Sequence, residues 1–241
     1  RVASLYLGAP APIIVTDPAA AETIKYASNA FPATKSSVIN AIAAVCEAVG
    51  ADVKDVVLGM GYDKRIGHEF LKPGPGWGGS CFPKDSRALV HIADTAGYSF
   101  DLLEGVITVN DEQFHRVVAK VRAAVGGDLA GVRVGVWGLT FKARTDDTRD
   151  SPALRVVKLL AEAGAEVRAY DPAVKAPVGG VDPAVDPYSV CDDADVLVVL
   201  TEWDEFRWLD FDKVGAAMNT RTVVDARNLL DRSAFIRAGF E

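Results

Sequence analysis

A cysteine stands where a glycine-rich loop turns into a helix: Gly74-Pro75-Gly76-Trp77-Gly78-Gly79-Ser80-Cys81-Phe82-Pro83-Lys84-Asp85. A helix start sets unpaired N–H groups and the positive end of a dipole beside the sulfur, and Lys84 lies close by. Those are the surroundings in which a thiol acts as a nucleophile, so Cys81 is a candidate for covalent chemistry. Asp85, four residues on, shares its helix face. The competing reading of a lone cysteine is a small buried residue, yet such a residue has no need of the glycines before it or the Lys-Asp pair after it. The other two cysteines, Cys46 and Cys191, are widely spaced and no CxxC pair occurs, which argues against a disulfide framework or a zinc site.

The elements that must position this loop follow from periodicity. Pro12-Ile13-Ile14-Val15 reads as a short strand, and Asp17-Pro18 as a helix N-cap with proline at the first helical position. Apolar residues recur at helical spacing from Ala20 to Val49 through Ile24, Phe31, Val38, Ile42 and Val45, which predicts about 30 residues of helix, bent at Pro32. Asp52 to Leu58 predicts a short helix, Gly59 to Gly79 a loop, Pro83 to Ala96 a helix closed by Gly97, and Leu102 to Val125 another. From Val132 the pattern changes. Residues 132–137 read as a strand, Ser151-Pro152 caps a helix ended by Gly164, and residues 166–170 read as the next strand, together a β-α-β unit. Strands at Val196 to Leu200 and Thr222 to Val224 extend it, and Ala176 to Pro187 reads as a surface loop. The expected fold class is α/β: a central helical region with one very long helix, followed by a Rossmann-like, doubly wound parallel-sheet domain.

With 241 residues, 49% of them hydrophobic and 24% charged, the chain can bury a full core in one or two domains. A formal net charge of -7 offers no broad basic field, so nucleic acid is not an expected partner. No apolar run approaches a bilayer span and the first residues lack a signal-peptide layout, so no membrane association is expected and the cytoplasm is the default location.

The stretch around Cys81 resembles the active-site signature of the nucleotide-sugar dehydrogenases, the UDP-glucose/GDP-mannose dehydrogenase family, and Gly78 to Asp85 resembles its UDP-glucose branch. Four further segments match in the family's order. Lys25-Tyr26-Ala27-Ser28-Asn29-Ala30-Phe31 is similar to the catalytic-helix motif and Lys64-Arg65-Ile66-Gly67 to the substrate loop. Gly138-Leu139-Thr140-Phe141-Lys142 with Asp147-Thr148-Arg149 is similar to the C-terminal-domain motif, and Asp225-Ala226-Arg227-Asn228 to the last. The resemblance implies an NAD-dependent, four-electron oxidation of UDP-glucose to UDP-glucuronate, through a thiohemiacetal and then a thioester on Cys81.

The same resemblance assigns roles residue by residue. Lys25 and Asn29, at i and i+4 on one helix face, meet the developing oxyanion. Asp85 positions the hydrolytic water or acts as its general base. Lys25, Asn29, Arg65, Lys72, Gly76, Trp77, Gly78, Phe141, Lys142 and Arg227 are expected to hold the nucleotide sugar, the cations because a diphosphate calls for them. Cys81, Lys84 and Arg149 are expected to face NAD. Without the resemblance, Lys25 reads as a solvated lysine, Asp85 as an acid serving the helix dipole, and Trp77 and Phe141 equally well as core.

No G-x-G-x-x-G fingerprint occurs, so the main NAD site is not expected in this chain. The family carries that site on an N-terminal Rossmann domain, and the chain is expected to be a fragment that is inactive alone. The expected organisation is a remnant of that domain at 1–16, a central helical domain for dimerisation and catalysis at 17–126, and a UDP-sugar-binding domain at 127–241. The long helix implies a homodimer, with Arg65 able to reach the neighbour's site. Ala41, after Asn40, departs from an acid common in the family. GDP-mannose or a UDP-N-acetylhexosamine remains an alternative substrate. A non-catalytic nucleotide-sugar-binding and dimerisation module, and a scaffold that lost its activity, are the readings from other classes.

Overall fold

The computed structural model describes residues 2–6, 8 and 10–240. Arg1, Leu7 and Ala9 of the expected N-terminal remnant, and Glu241 at the other end, lie outside the described residues. Helix α1 spans Pro18–Val49; Asp17 Oδ1 accepts from Ala20 N at 2.9 Å at its start, and Gly50, with φ 72°, closes it. It runs unbroken through Pro32. The proline removes only the hydrogen bond to the Ser28 carbonyl, and Ser28 is exposed, so water can take that partner's place. Pro12 to Val15 does not form the expected strand: no strand among the described residues pairs with it, and extended backbone becomes a strand only with a partner.

Helix α2 spans Val53–Tyr62, reaching beyond the expected end at Leu58. Helix α3 spans Phe82–Thr95 with Cys81 as its N-cap residue and Pro83 in its first turn, and α4 spans Asp101–Ala124. A sheet follows, of β1 (Arg133–Trp137), β2 (Glu166–Tyr170), β3 (Val196–Val199) and β4 (Val223–Asp225), in the order β2-β1-β3-β4 with every pairing parallel. The side chains alternate between two apolar layers. Val134, Val136, Val196 and Val198 pack with α4 and with α5 (Pro152–Glu162). Trp137, Leu197 and Val199 pack on the opposite face, with Val214 of α6 (Phe211–Ala217) and Phe235 of α7 (Arg232–Arg237). The α/β, doubly wound expectation holds, and the strand order reverses between β1 and β3.

Helix α4 belongs to both halves. Leu103 and Val106 pack with Ala30, Ala33 and Trp77 against α1, whereas Phe114, Val117, Val118 and Val121 join the core beneath the sheet. Ser151 sits at the head of α5 but does not cap it: its hydroxyl donates to the Leu139 carbonyl at 2.7 Å. The turn after β1 is held by fully buried Asp171, which accepts from Leu139 N at 2.8 Å, Thr140 N at 2.9 Å and the Thr140 hydroxyl at 2.9 Å. In a dinucleotide site those N–H groups would face a pyrophosphate.

Candidate active site

Packing of α3 across α1 brings three side chains from two segments of sequence onto one carboxylate. Asp85 is 1% exposed, and its Oδ2 accepts from Lys25 Nζ at 2.8 Å and from the Asn29 amide, while Oδ1 accepts from Lys84 Nζ. Burial works to raise the carboxyl's pKa, but the donors on Lys25, Lys84 and Asn29 together outweigh it and hold the group at about 2. A carboxylate so low and so fully occupied is ionised near neutral pH and anchors Lys25, Asn29 and Lys84. Lys25 is 61% exposed beyond its contact, so its ammonium can also meet a ligand.

Cys81 opens the same helix. It is the exposed cysteine among the described residues, with Ser80 Oγ at 3.7 Å from its sulfur, while Cys46 and Cys191 are buried. Burial pushes the Cys191 thiol up to about 12, which removes it as a nucleophile. Lys84 and Arg149 flank Cys81 closely enough that a negative charge on its sulfur raises the pKa of each, after the larger effects of Asp85 on Lys84 and Asp147 on Arg149. Arg149 is gripped by Asp147, at 2.9 Å through Nε and 2.7 Å through Nη2.

The second cluster lies at the carboxyl ends of β1, β3 and β4, at the point where the strand order reverses. Arg227 donates from Nε to the Leu200 carbonyl at 2.8 Å and from Nη2 to the Phe141 carbonyl at 3.2 Å. Lys142 is exposed, 5.3 Å from the Phe141 ring centre. Glu202, which the sequence reading passed over, has Oε2 3.1 Å from Arg227 Nε and accepts from Ala143 N at 3.3 Å. Burial lowers the Arg227 pKa, and Glu202 and Asp225 offset it.

The glycine loop lies across this cluster. Asn40 Oδ1 accepts from Gly74 N at 2.8 Å, Gln113 donates to the Gly74 carbonyl at 2.8 Å, and Asn110 accepts from Trp77 N at 2.8 Å and donates to the Trp77 carbonyl at 3.0 Å. Asn110 and Gln113 were also absent from the sequence expectation, because nothing local marks a helix amide as a loop clamp. Trp77, expected as a substrate contact or equally well as core, is 8% exposed, and its indole N–H donates to Ser37 Oγ at 2.9 Å. Gly76 and Gly78 face protein. A Cβ on Gly78 would stand 2.0 Å from the Asp150 carbonyl oxygen, and one on Gly76 2.6 Å from the Phe114 ring. Their small size seats the loop on α4 and the sheet domain. Phe141 lies against Gly79. Lys72 is exposed. Arg65 is 88% exposed and bound to Asp63 at 2.6 Å, joining neither cluster within this chain.

Residues 19–112 match the model of the UDP-glucose/GDP-mannose dehydrogenase family's central domain, and residues 135–232 match that of its UDP binding domain. The chain belongs to this family. A UDP-glucose 6-dehydrogenase of Rhizobium meliloti (strain 1021) is 48% identical over 240 residues, covering 98% of this chain and 55% of the relative. Among solved structures, a UDP-glucose dehydrogenase of the archaeon Pyrobaculum islandicum superposes with a TM-score of 0.86 at 35% identity, covering 95% of this chain and 52% of that one. A UDP-D-ManNAc dehydrogenase of Pyrococcus horikoshii gives a TM-score of 0.85 at 26% identity, covering 96% and 54%. The chain thus spans about half the length of the curated relatives it matches. No helix among the described residues of this family member is long and apolar enough to cross a membrane.

Proposed function

We propose that this chain carries the nucleophile and the nucleotide-sugar half of a UDP-glucose 6-dehydrogenase. The observation that supports it most is the convergence of Lys25, Asn29 and Lys84 on the buried carboxylate four residues beyond exposed Cys81. In this reading the C6 alcohol of UDP-glucose is oxidised to an aldehyde, and the Cys81 thiolate adds to its carbonyl carbon. Loss of a second hydride leaves a thioester, and water cleaves the C–S bond to give UDP-glucuronate and return the thiol. NAD, when bound, supplies the acceptor for the two hydrides, one molecule at a time. Lys25 and Asn29 stabilise the oxyanion at each tetrahedral stage, and Asp85 holds both in place. Arg227, Lys142 and Lys72 pair with the diphosphate at the switch point of the sheet.

The residues present fit one end of NAD only. Lys84 and Arg149 stand beside Cys81, where a nicotinamide must approach the reacting carbon. The turn after β1 does not fit a pyrophosphate, since its N–H groups already serve Asp171.

The functional division at 16/17 and 126/127 and a homodimer are part of the same proposal. Ile24, Phe31, Val38 and Val45 recur every seven residues along α1, and they are exposed by 49%, 69%, 46% and 60%. Such a stripe on a helix of 32 residues suits a second copy of the helix, and would bring the partner's loop 64–67 toward the site.

The test is a calorimetric titration of this chain with UDP-glucose and, separately, GDP-mannose. Binding of UDP-glucose alone supports the reading, and binding of GDP-mannose alone moves the chain to the other branch. In the NAD-supplied enzyme, Cys81→Ser should abolish acid formation; undiminished turnover would sink the assignment.

A further inference from the structure

A cavity of about 550 Å³ opens between α3, α4 and α5. Its lining includes neither the Asp85 cluster nor Lys142 or Arg227. We propose that it binds an organic anion, a flat aromatic body carrying a phosphate, at a site separate from the nucleotide-sugar site and independent of the function proposed above.

Two features of the lining carry this. The first is charge. Arg87 from α3, His115 from α4, and Arg155 and Lys158 from α5 all line the cavity. Three elements thus point basic groups at one space. Among the described residues the side chains of Arg87, His115 and Arg155 have no hydrogen-bond or ion-pair partner, and that of Lys158 has only Glu162 at 3.7 Å. The carboxylates of Asp111 and Asp150 also line it without pairing to those cations. Permanent cations outnumber acids there, on a chain whose net charge is -7. Like charges gathered over low-dielectric walls repel, and an anion between them relieves that cost.

The second feature is the apolar surface supplied by Trp77, Ile107, Phe114 and Leu154. Trp77 and Phe114 are each 8% exposed, so close packing holds their rings rigid where they border the cavity. An inorganic ion would leave that surface wet. A volume within the roughly 300–1,000 Å³ of small-molecule sites accepts one substituted ring and excludes a folded partner.

Phenyl phosphate is the first probe, titrated into the chain by calorimetry at low salt, with and without saturating UDP, and inorganic phosphate is the second. One equivalent of phenyl phosphate should bind equally well in both conditions. Inorganic phosphate should bind about tenfold more weakly or worse. The double variant Arg87→Ala/Arg155→Ala should lose about tenfold or more in affinity, and Arg87→Lys/Arg155→Lys should recover most of it. Both arginines are exposed, so circular dichroism should match the parent. Displacement by UDP, equal affinity for inorganic phosphate, indifference to the double alanine variant, or no binding would each overturn the proposal.

Discussion

Asp85 organises more of the site than any other side chain, and its ionisation can be read in the stability of the fold. Its carboxyl drops from an ordinary 3.8 to about 2 on folding. A group whose folded pKa is depressed stabilises the fold above its unfolded value, and that contribution disappears as pH falls toward the folded one. The shift corresponds to roughly 2 kcal/mol, present above about pH 4 and lost toward pH 2. Urea denaturation at pH 7, 4 and 2.5 should show Asp85→Asn less stable than the parent at pH 7 by about that amount, with the gap closing in acid. Glu202 gives a second residue-scale outcome. Glu202→Gln keeps the shape but leaves the Arg227 guanidinium short of a counter-charge, and should cost about 2 kcal/mol by the same measurement. Cys81 stands out in the sequence by its place between a glycine loop and a helix start, whereas Lys25, Asn29 and Asp85 are singled out only by the resemblance of their segments to a known family. Glu202, Asn110 and Gln113 are not legible there, since each is placed by a contact between distant segments, and the burial of Trp77 is not either, because an aromatic among glycines carries no local mark of it.

At the scale of elements, the glycine loop acts as a clasp between the helices and the sheet. Gly78 shows how closely it fits: a methyl there meets backbone, which cannot rotate away. Gly78→Ala should therefore destabilise the chain by about 3 kcal/mol or more and weaken UDP-glucose binding, while Ala substituted at Gly59, where nothing lies within 4 Å, should do neither. Thermal melts and calorimetric titration of the two variants check this. The elements themselves were largely readable. Asp17-Pro18, Gly97 and Gly164 mark helix ends by chemistry that needs no tertiary context, and the strand-helix alternation after Val132 shows the sheet. The failed strand at Pro12 to Val15 shows the opposite case, in which local pattern suffices for extension but not for pairing. Pro32, expected to bend the helix, leaves it continuous, and the exposure of Ser28 that lets water take up the freed carbonyl is not visible in the sequence.

For the whole molecule, the apolar stripe on α1 sets the expected assembly. Light scattering should give the mass of a dimer for the parent, and Phe31→Asp, placing a charge in the middle of the seam, should shift it to the monomer. A monomeric parent would remove the dimer reading. The division at 126/127 is a boundary of pattern in the sequence, and the sequence alone conceals that α4, which ends just before it at Ala124, packs into the cores on both sides. Because that helix lends its first turns to the helical layer and its later turns to the sheet, the two halves should melt together. Differential scanning calorimetry should record a single endotherm whose van't Hoff and measured enthalpies agree for the cooperative unit. A chain severed between 126 and 127 would leave the sheet's half without Phe114, Val117, Val118 and Val121, exposing a greasy floor where a lid had been.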